Sequence, residues 1–198
     1  LVPSERTLII QPLPGIGDMV WHLPHLHAIA ATTISGRIDL LTKPRSQADR
    51  LLCADPVVER VLWLDRAAVH AGMGGLWRLT TLLRQGEYQR VWILHGSARY
   101  ALAARLAGIS ERISYGVGWQ TALLNGPARL PPELRHTHPI RRADALLDLL
   151  NIPRPESEPR LRVSAEADQA IAERFAAWPL PWIALGIGSS EPWKQWGA

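Results

Sequence analysis

The first glycine-rich loop of the chain ends on a carboxylate. Residues 12–18 read Pro-Leu-Pro-Gly-Ile-Gly-Asp, and they join an apolar run of strand length to a segment with helical apolar spacing. Gly15 and Gly17 lack a Cβ and tolerate positive φ, so the backbone here can come close to another molecule or to a phosphate. The pattern predicts an active-site corner that ends at Asp18. A structural role, in which Asp18 caps the helix by accepting backbone N–H bonds, stays open.

A second glycine-containing loop, near residue 190, carries hydroxyl groups and a lysine. Gly188-Ser189-Ser190 follows the apolar run 182–187, and Lys194 comes four residues later. Backbone N–H groups, hydroxyls and a cation after a buried strand favour a phosphate-binding cradle. Lys194 is one of two lysines in a chain whose other cationic residues are arginines. A solvated surface lysine is the alternative.

Other polar residues could also contact ligands. His95 and Arg99 follow an apolar run at 91–94, where ligands collect in open sheets, and a structural role for them is equally open. Arg141 and Arg142 begin a helical segment and could pair with phosphate or carboxylate. The imidazoles at 22, 25 and 27 cannot share one helical face at their spacing, which argues against a metal site.

The elements that must position these residues alternate along the chain. Strands are predicted at 7–11, 37–42, 58–64, 91–94 and 112–115, and helices at 46–52, 74–84 and 97–107. The helix after the first loop contains Pro24, so it either kinks there or starts near Leu23. This alternation predicts an α/β fold with a Rossmann-like, mostly parallel sheet flanked by helices.

The second half of the chain departs from this alternation. A loop-rich segment at 119–138 precedes a helix at 141–150, a proline-containing connector and a helix at 165–177. The strand predicted at 182–187 opens a second α/β domain. We therefore expect a Rossmann-like N-terminal domain at 1–160, a connector at 161–181, and the first strand and loop of a truncated domain at 182–198.

Length, charge and composition narrow the function classes. The 198 residues contain no run of about 18 apolar residues and no signal-peptide pattern, so a cytoplasmic location is expected. The single Cys53 excludes an internal disulfide. The net charge of +4 comes from scattered arginines without a nucleic-acid-binding module, which argues against nucleic acid as the partner. The glycine fingerprint of NAD-binding proteins is incomplete, because Val20 stands at its third position.

Four stretches of the chain together resemble glycosyltransferase family 9, the ADP-heptose:lipopolysaccharide heptosyltransferases. They are Gly17-Asp18-Met19-Val20 with Leu23-Pro24-His25-Leu26, Leu94-His95-Gly96 with residues 103–108, Arg112-Ile113-Ser114-Tyr115-Gly116, and Ser189-Ser190 with Lys194-Gln195-Trp196. Members of the family look like two facing Rossmann-type domains, the GT-B arrangement. The four stretches follow the family's order and cover the first half or so of a complete member.

The resemblance implies an inverting transfer of a heptose-like sugar from an ADP-sugar donor to an anionic lipopolysaccharide-core acceptor. It implies no cofactor and no metal, and it implies that contact with the cytoplasmic membrane is peripheral. Because most of the donor site would lie in the second domain, the 198-residue chain alone is expected to be inactive.

The resemblance also assigns roles to single residues. Asp18 is expected to be the catalytic base, and Ser189, Ser190 and Lys194 are expected to hold the donor phosphates. The residues expected on the acceptor side are Gly15, Gly17, His22, His95 and Arg99.

The chain departs from the family at two places near the expected acceptor. Trp21 and His22 stand where members commonly have His and then Thr, and Ile93-Leu94-His95-Gly96 stands where they often have Asp-Leu-Gln-Gly. These differences leave the transferred sugar and the acceptor open. Two alternative functions also stay open, an NAD(P)-dependent Rossmann oxidoreductase and a non-catalytic module that binds a sugar or nucleotide.

Overall fold

The computed structural model describes residues 5–65, 69–154, 156, 158–179, 181–183 and 185. Contacts within the chain divide it into two compact units, Leu1–Arg162 and Val163–Ala198. The first unit contains a five-stranded sheet, and the second contains one helix among its described residues. Most of the strand and loop predicted at 182–198 lie outside the described residues.

Five parallel strands form the centre of the first unit. They are β1 Thr7–Gln11, β2 Ile38–Thr42, β3 Val58–Trp63, β4 Arg90–Ile93 and β5 Glu111–Ser114. Their order across the sheet is β3-β2-β1-β4-β5, and every neighbouring pair is parallel. The central strand β1 is buried along its whole length, as its apolar run predicts for a strand covered on both faces. The predicted Rossmann-like α/β fold is therefore confirmed.

Helices connect the strands and follow the last of them. In the described part of the chain they are α1 Ile16–Trp21, α2 Leu23–Ala31, α3 Ala48–Leu51, α4 Gly72–Gln85, α5 Ala98–Ala107, α6 Pro139–Leu149 and, in the second unit, α7 Ala165–Arg174. The short helix predicted at 46–52 is present as α3, and Gln47, with a φ of +53°, separates it from a 3₁₀ turn at Pro44–Ser46. None of these described helices is long and apolar enough to cross a membrane.

A break between α1 and α2 accommodates Pro24. His22 is the C-cap of α1 and the N-cap of α2, and α2 begins at Leu23 with Pro24 in its first turn. A proline is tolerated there because the first N–H groups of a helix have no partner within it. Of the two interpretations of Pro24, the start near Leu23 is the correct one. Asp18 consequently lies on a separate helix of six residues.

Each face of the sheet packs against its own set of helices. Ile9 and Trp92 belong to a buried cluster with residues of α2 and α6, such as Leu26 and Leu146. The opposite face contributes alternate strand residues, such as Ile10, to a cluster with α4 and α5. Burying one such leucine or isoleucine contributes about 1.5–3 kcal/mol. The two clusters therefore hold the strand ends, and the loops that leave them, in fixed positions.

The connection at 119–138 packs on the first unit. It contains 3₁₀ turns at Gly118–Leu123 and Pro132–Leu134. The Leu130 N–H donates to the backbone oxygen of Tyr115 at 3.1 Å, and Leu130 itself is buried. Backbone hydrogen bonds thus hold in place a segment whose composition is also compatible with a mobile loop.

Candidate active site

The loops after β1 and β4 meet at the carboxyl edge of the sheet. β1 connects through α1 and α2 to β2 on one side, whereas β4 connects through α5 to β5 on the other. In open parallel sheets a crevice forms where neighbouring strands connect in opposite directions, and ligands bind there. Asp18 follows β1 and His95 follows β4, so the topology places the loops that carry them at this edge.

Asp18 occupies the third position of α1 and is half-buried. Gly15 is the N-cap of this helix, so the N-cap role considered for Asp18 is wrong in detail. The Asp18 carboxylate instead reaches back, and its Oδ2 accepts the backbone N–H of Gly15 at 3.1 Å. Among the described residues, no hydrogen bond reaches Oδ1. One carboxylate oxygen is thus held in place and the other is left for a ligand.

The two glycines of the loop serve different purposes, and neither uses the positive φ that glycine tolerates. A Cβ on Gly15 would lie 2.6 Å from Oδ2 of Asp18, so glycine leaves the space that the carboxylate occupies. A Cβ on Gly17 would meet no described atom within 4 Å. This side of α1 is therefore open to another molecule.

His22 lies beneath the Asp18 turn and has no exposed surface. Its Nδ1–H donates to the backbone oxygen of Asp18 at 2.6 Å, because a carbonyl oxygen can only accept. Burial lowers the pKa of the imidazole from 6.5 to about 4, so the ring is neutral at neutral pH. The acceptor-side expectation for His22 needs correction, since a fully buried ring can position Asp18 but cannot touch the acceptor.

A buried polar network supports the same turn from below. Gln11, Thr42 and Ser46 are all fully buried. The Thr42 hydroxyl donates to Oε1 of Gln11 at 3.3 Å. The Gln11 amide nitrogen packs 3.4 Å from Nδ1 of His22 without a hydrogen bond, because both atoms are donors once Nδ1–H bonds the Asp18 carbonyl. Sequence reasoning missed these residues. The available signal was a polar residue at the last position of both β1 and β2, since buried polar groups require partners.

A surface pocket of about 410 Å³ lies beside Asp18. One wall comes from α1 and the other from the start of α6, and the lining residues are Asp18, Trp21, His138, Pro139, Ile140 and Arg141. We call this space the Asp18 pocket. Its volume is within the range of small-molecule sites, about 300–1,000 Å³. The second wall was not predicted, because α6 lies more than a hundred residues from α1 in the sequence.

A hydrogen bond joins α2, the helix that follows α1, to α6, which forms the second wall of the Asp18 pocket. The Nε2–H of His25 donates to Oδ1 of Asp144 at 3.0 Å, and the Arg154 guanidinium lies 3.4 Å from the same oxygen. Burial lowers the pKa of His25, and the hydrogen bond to Asp144 opposes that effect. Because His25 is buried, its hydrogen bond resists separation of α2 from α6.

The adjacent arginines of α6 face different environments. Arg141 is exposed and lines the Asp18 pocket. Arg142 is half-buried, and its guanidinium lies 5.2 Å from the centre of the Tyr115 ring. Arg142 also donates to the backbone oxygen of Arg135 at 3.4 Å. Only Arg141 of the pair is thus placed to meet an anion in the Asp18 pocket.

Gln120 holds the loop that carries His95. Its amide nitrogen donates to the backbone oxygen of His95 at 2.8 Å, and its amide oxygen accepts the N–H of Gly116 at 3.0 Å. His95 is half-buried, its Nδ1 accepts the Ser97 N–H at 3.0 Å, and its ring makes an edge contact with Tyr100. The fully buried Gln120 was not predicted as part of the site. Its amide joins the loops after β4 and β5.

Arg99 has a structural role. Its guanidinium donates to the backbone oxygen of His70 at 3.0 Å and to that of Gly72 at 2.7 Å. These bonds tie the start of α5 to the segment that precedes α4. Of the two roles considered for Arg99, these contacts correspond to the structural role. Arg99 does not line the Asp18 pocket.

The residues predicted to bind the donor, Ser189, Ser190 and Lys194, lie outside the described residues. Within the described part of the chain, no group of three or more His, Cys, Asp or Glu side chains could hold a metal ion. The three closely spaced histidines have separate partners: His22 bonds the Asp18 backbone, His25 bonds Asp144, and His27 bonds Asp55 at 2.8 Å.

Comparison with protein families places the chain in a known family. The model described as glycosyltransferase family 9 (heptosyltransferase) matches residues 76–198, which is more than half of the chain. The matched span begins within α4, after the Asp18 loop, and includes β4, α5, β5 and α6. No curated protein sequence is significantly similar to the chain.

Solved structures with the same fold include three described as family members or heptosyltransferases. The glycosyl transferase family 9 protein from Veillonella parvula DSM 2008 has a TM-score of 0.71 at 17% identity, covering 99% of this chain and 57% of its own. The E. coli ADP-heptose LPS heptosyltransferase II has a TM-score of 0.61 at 22% identity, covering 86% and 50%. E. coli heptosyltransferase WaaC with ADP-2-deoxy-2-fluoro heptose has a TM-score of 0.58 at 19% identity, covering 96% and 61%. The chain therefore spans about half the length of these structures.

Proposed function

Because the chain belongs to glycosyltransferase family 9, we propose that it supplies the acceptor-side half of an inverting glycosyltransferase. The proposed reaction moves a heptose-like sugar from an ADP-sugar to an anionic lipopolysaccharide-core acceptor. The observation that carries the proposal is Asp18, whose carboxylate accepts the Gly15 N–H through Oδ2 and which itself lines the Asp18 pocket. Nothing in the described residues favours the oxidoreductase alternative over this function.

Asp18 is the proposed general base. In an inverting transfer the acceptor hydroxyl oxygen forms a bond to the anomeric carbon while the bond from that carbon to the donor diphosphate breaks. Asp18 takes the hydroxyl proton as the oxygen attacks, and the nucleoside diphosphate leaves with the electron pair of the broken bond. Holding Oδ2 on the Gly15 N–H reduces the freedom of the carboxylate, which supports an effective base at this position.

The donor side of the reaction rests on the second loop. We propose that Lys194, with the hydroxyls of Ser189 and Ser190, neutralises the diphosphate of the donor. The family match includes these positions. The titles of the E. coli structures describe heptosyltransferases with ADP and with a fluorinated ADP-heptose, which makes an ADP-sugar the first donor to test.

The proposed acceptor is anionic and anchored in the membrane. The exposed Arg141 at the Asp18 pocket supports an anionic acceptor, since guanidinium pairs well with carboxylate and phosphate. Such an acceptor would be anchored in lipid, so peripheral contact with the cytoplasmic membrane belongs to the proposal. No described helix offers a membrane span.

The test is a transfer assay on the complete protein that carries this chain. ADP-heptose is supplied with lipopolysaccharide-core fragments, and the product is analysed by mass spectrometry and by NMR of its new anomeric centre. Transfer with inverted configuration is expected. Sugar binding without transfer would favour the non-catalytic module instead. A tight fluorescence response to NADPH, combined with no response to ADP-sugars, would favour the oxidoreductase. The isolated 198-residue chain is expected not to turn over.

A further inference from the structure

The proposed reaction leaves one wall of the Asp18 pocket without a role. Trp21 lines the pocket and 58% of its surface is exposed, although a tryptophan of a monomeric domain is usually highly buried. Trp21 follows Asp18 by three positions on α1, so the two side chains lie on the same side of the helix. The indole thus stands one helical turn from the proposed base.

The opposite wall provides an apolar surface and a cation. Pro139 and Ile140 begin α6 and are half-buried, and the exposed Arg141 follows them. In the described part of the chain, no carboxylate lies within ion-pair distance of Arg141. The pocket therefore combines a flat aromatic face, an apolar strip, an unpaired guanidinium and the Asp18 carboxylate.

This combination matches one ligand chemistry. A pyranose ring has an apolar face of C–H groups that packs on an aromatic ring, and hydroxyls at its edge that bind polar groups. A ring stacked on Trp21 can direct one hydroxyl to Asp18 and an acidic substituent to Arg141. The pocket volume of about 410 Å³ leaves room for such a ring.

We propose that Trp21 is the stacking platform of the acceptor subsite and binds a pyranose ring whose carboxylate or phosphate pairs with Arg141. The proposal rests on the glycosyl transfer proposed above and adds a residue that determines acceptor specificity. Trp21 contacts the acceptor in every bound state, so it contributes to ground-state binding and transition-state binding alike. Its loss is therefore expected to raise the acceptor KM much more than it lowers kcat.

The test uses the indole N–H resonances of the chain with simple glycosides as probes. Methyl glucuronide carries a carboxylate, methyl glucoside 6-phosphate carries a phosphate, and methyl glucoside is neutral. Trp21→Phe identifies the resonance of Trp21, and Trp77→Phe identifies a matched control, because Trp77 is also 58% exposed but lies outside the Asp18 pocket.

A saturable movement of the Trp21 resonance with at least one anionic glycoside, and none of the Trp77 resonance, is expected. The comparison of glucuronide with 6-phosphate shows which acid the site prefers. Arg141→Gln should weaken binding of the anionic probe about five- to tenfold and leave the neutral probe unchanged. Arg50→Gln, at an exposed arginine of α3, should leave both unchanged. An unmoved Trp21 resonance, or equal movement of Trp77, overturns the proposal.

The complete protein separates this proposal from the proposed function. Trp21→Ala should raise the acceptor KM at least tenfold and Trp21→Phe less, because phenylalanine keeps an aromatic face. Transfer with an unchanged acceptor KM in Trp21→Ala refutes the stacking role and leaves the transferase intact. Glycoside-dependent movement of Trp21 without any transfer refutes the transferase and leaves a sugar-binding site.

Discussion

Acid should destabilise the first unit through the buried imidazole of His22. Burial lowers the pKa of His22 from 6.5 to about 4. Between these values the folded chain holds its imidazole neutral, whereas the unfolded chain binds a proton. The unfolded state therefore binds more protons, and the free energy of unfolding falls as the pH decreases through this window. The contribution of His22 is fully retained above pH 6.5 and fully lost below about pH 4.

The magnitude follows from the same two values. The interval between 6.5 and about 4 corresponds to a total of about 3 kcal/mol. Between pH 7 and pH 5, linkage predicts that about 2 kcal/mol of this is lost. Such a loss is a large part of the stability of an ordinary domain, which is about 5–15 kcal/mol.

Urea unfolding followed by circular dichroism at pH 7 and pH 5 measures the effect in the whole chain. His22→Gln keeps an N–H donor for the Asp18 carbonyl, but its amide does not titrate. Between pH 7 and pH 5, the free energy of unfolding should therefore fall by about 2 kcal/mol less in His22→Gln than in the wild type. His136→Gln, at an exposed histidine, should behave as the wild type. If the free energy of unfolding falls equally in the wild type and in His22→Gln, the buried imidazole of His22 is not the cause of the acid sensitivity.

Two further predictions concern the Asp18 turn and a second histidine. Gly15→Ala should displace the Asp18 carboxylate, because Oδ2 lies 2.6 Å from the new Cβ position, and should abolish transfer. In Gly17→Ala the new Cβ meets no described atom within 4 Å, so this variant should stabilise α1 by about 0.5–1 kcal/mol. Unfolding curves and steady-state kinetics on both variants check this, and equal activity in the two would contradict it. The hydrogen bond to Asp55 raises the pKa of His27 against the effect of burial. The stability that this pair contributes is therefore present at pH values below the ordinary imidazole pKa, and it is lost as the pH rises through the pKa of His27 in the folded chain. NMR titration should give a lower His27 pKa in Asp55→Asn, and an unchanged value would contradict the assignment.

The sequence predicted the sheet well because its central strands are rich in apolar residues. β1 has the predicted bounds, and the other strands differ from prediction by one residue at one or both ends. β1 and β2 are buried along their whole length, whereas the edge strand β3 is half-buried or exposed, so the apolar signal was strongest at the centre of the sheet. The helix predicted at 46–52 begins later, at Ala48, because Gln47 has a positive φ, and a glutamine gives no warning of that conformation.

The candidate site was predicted only in part, since most of its support is long-range. Asp18 and the loop after β4 could be placed because parallel strands end at one edge. The bond from His25 to Asp144 joins residues 119 positions apart, and Gln120 bonds a carbonyl 25 positions away. Hydrophobic periodicity carries no information about such pairs. The burial of His22 likewise depends on the packing of α2 and could not be read from its neighbours.

The most direct test of the account is the rate of sugar transfer by Asp18→Asn in the complete protein that carries this chain. The amide keeps the size of the side chain but cannot take the acceptor proton, so kcat should fall about 10²- to 10⁴-fold while ADP affinity measured by calorimetry is unchanged. Asp49→Asn, at an exposed carboxylate in the first turn of α3, should retain wild-type kcat. An Asp18→Asn enzyme whose kcat stays close to that of Asp49→Asn would contradict the central claim that Asp18 is the base.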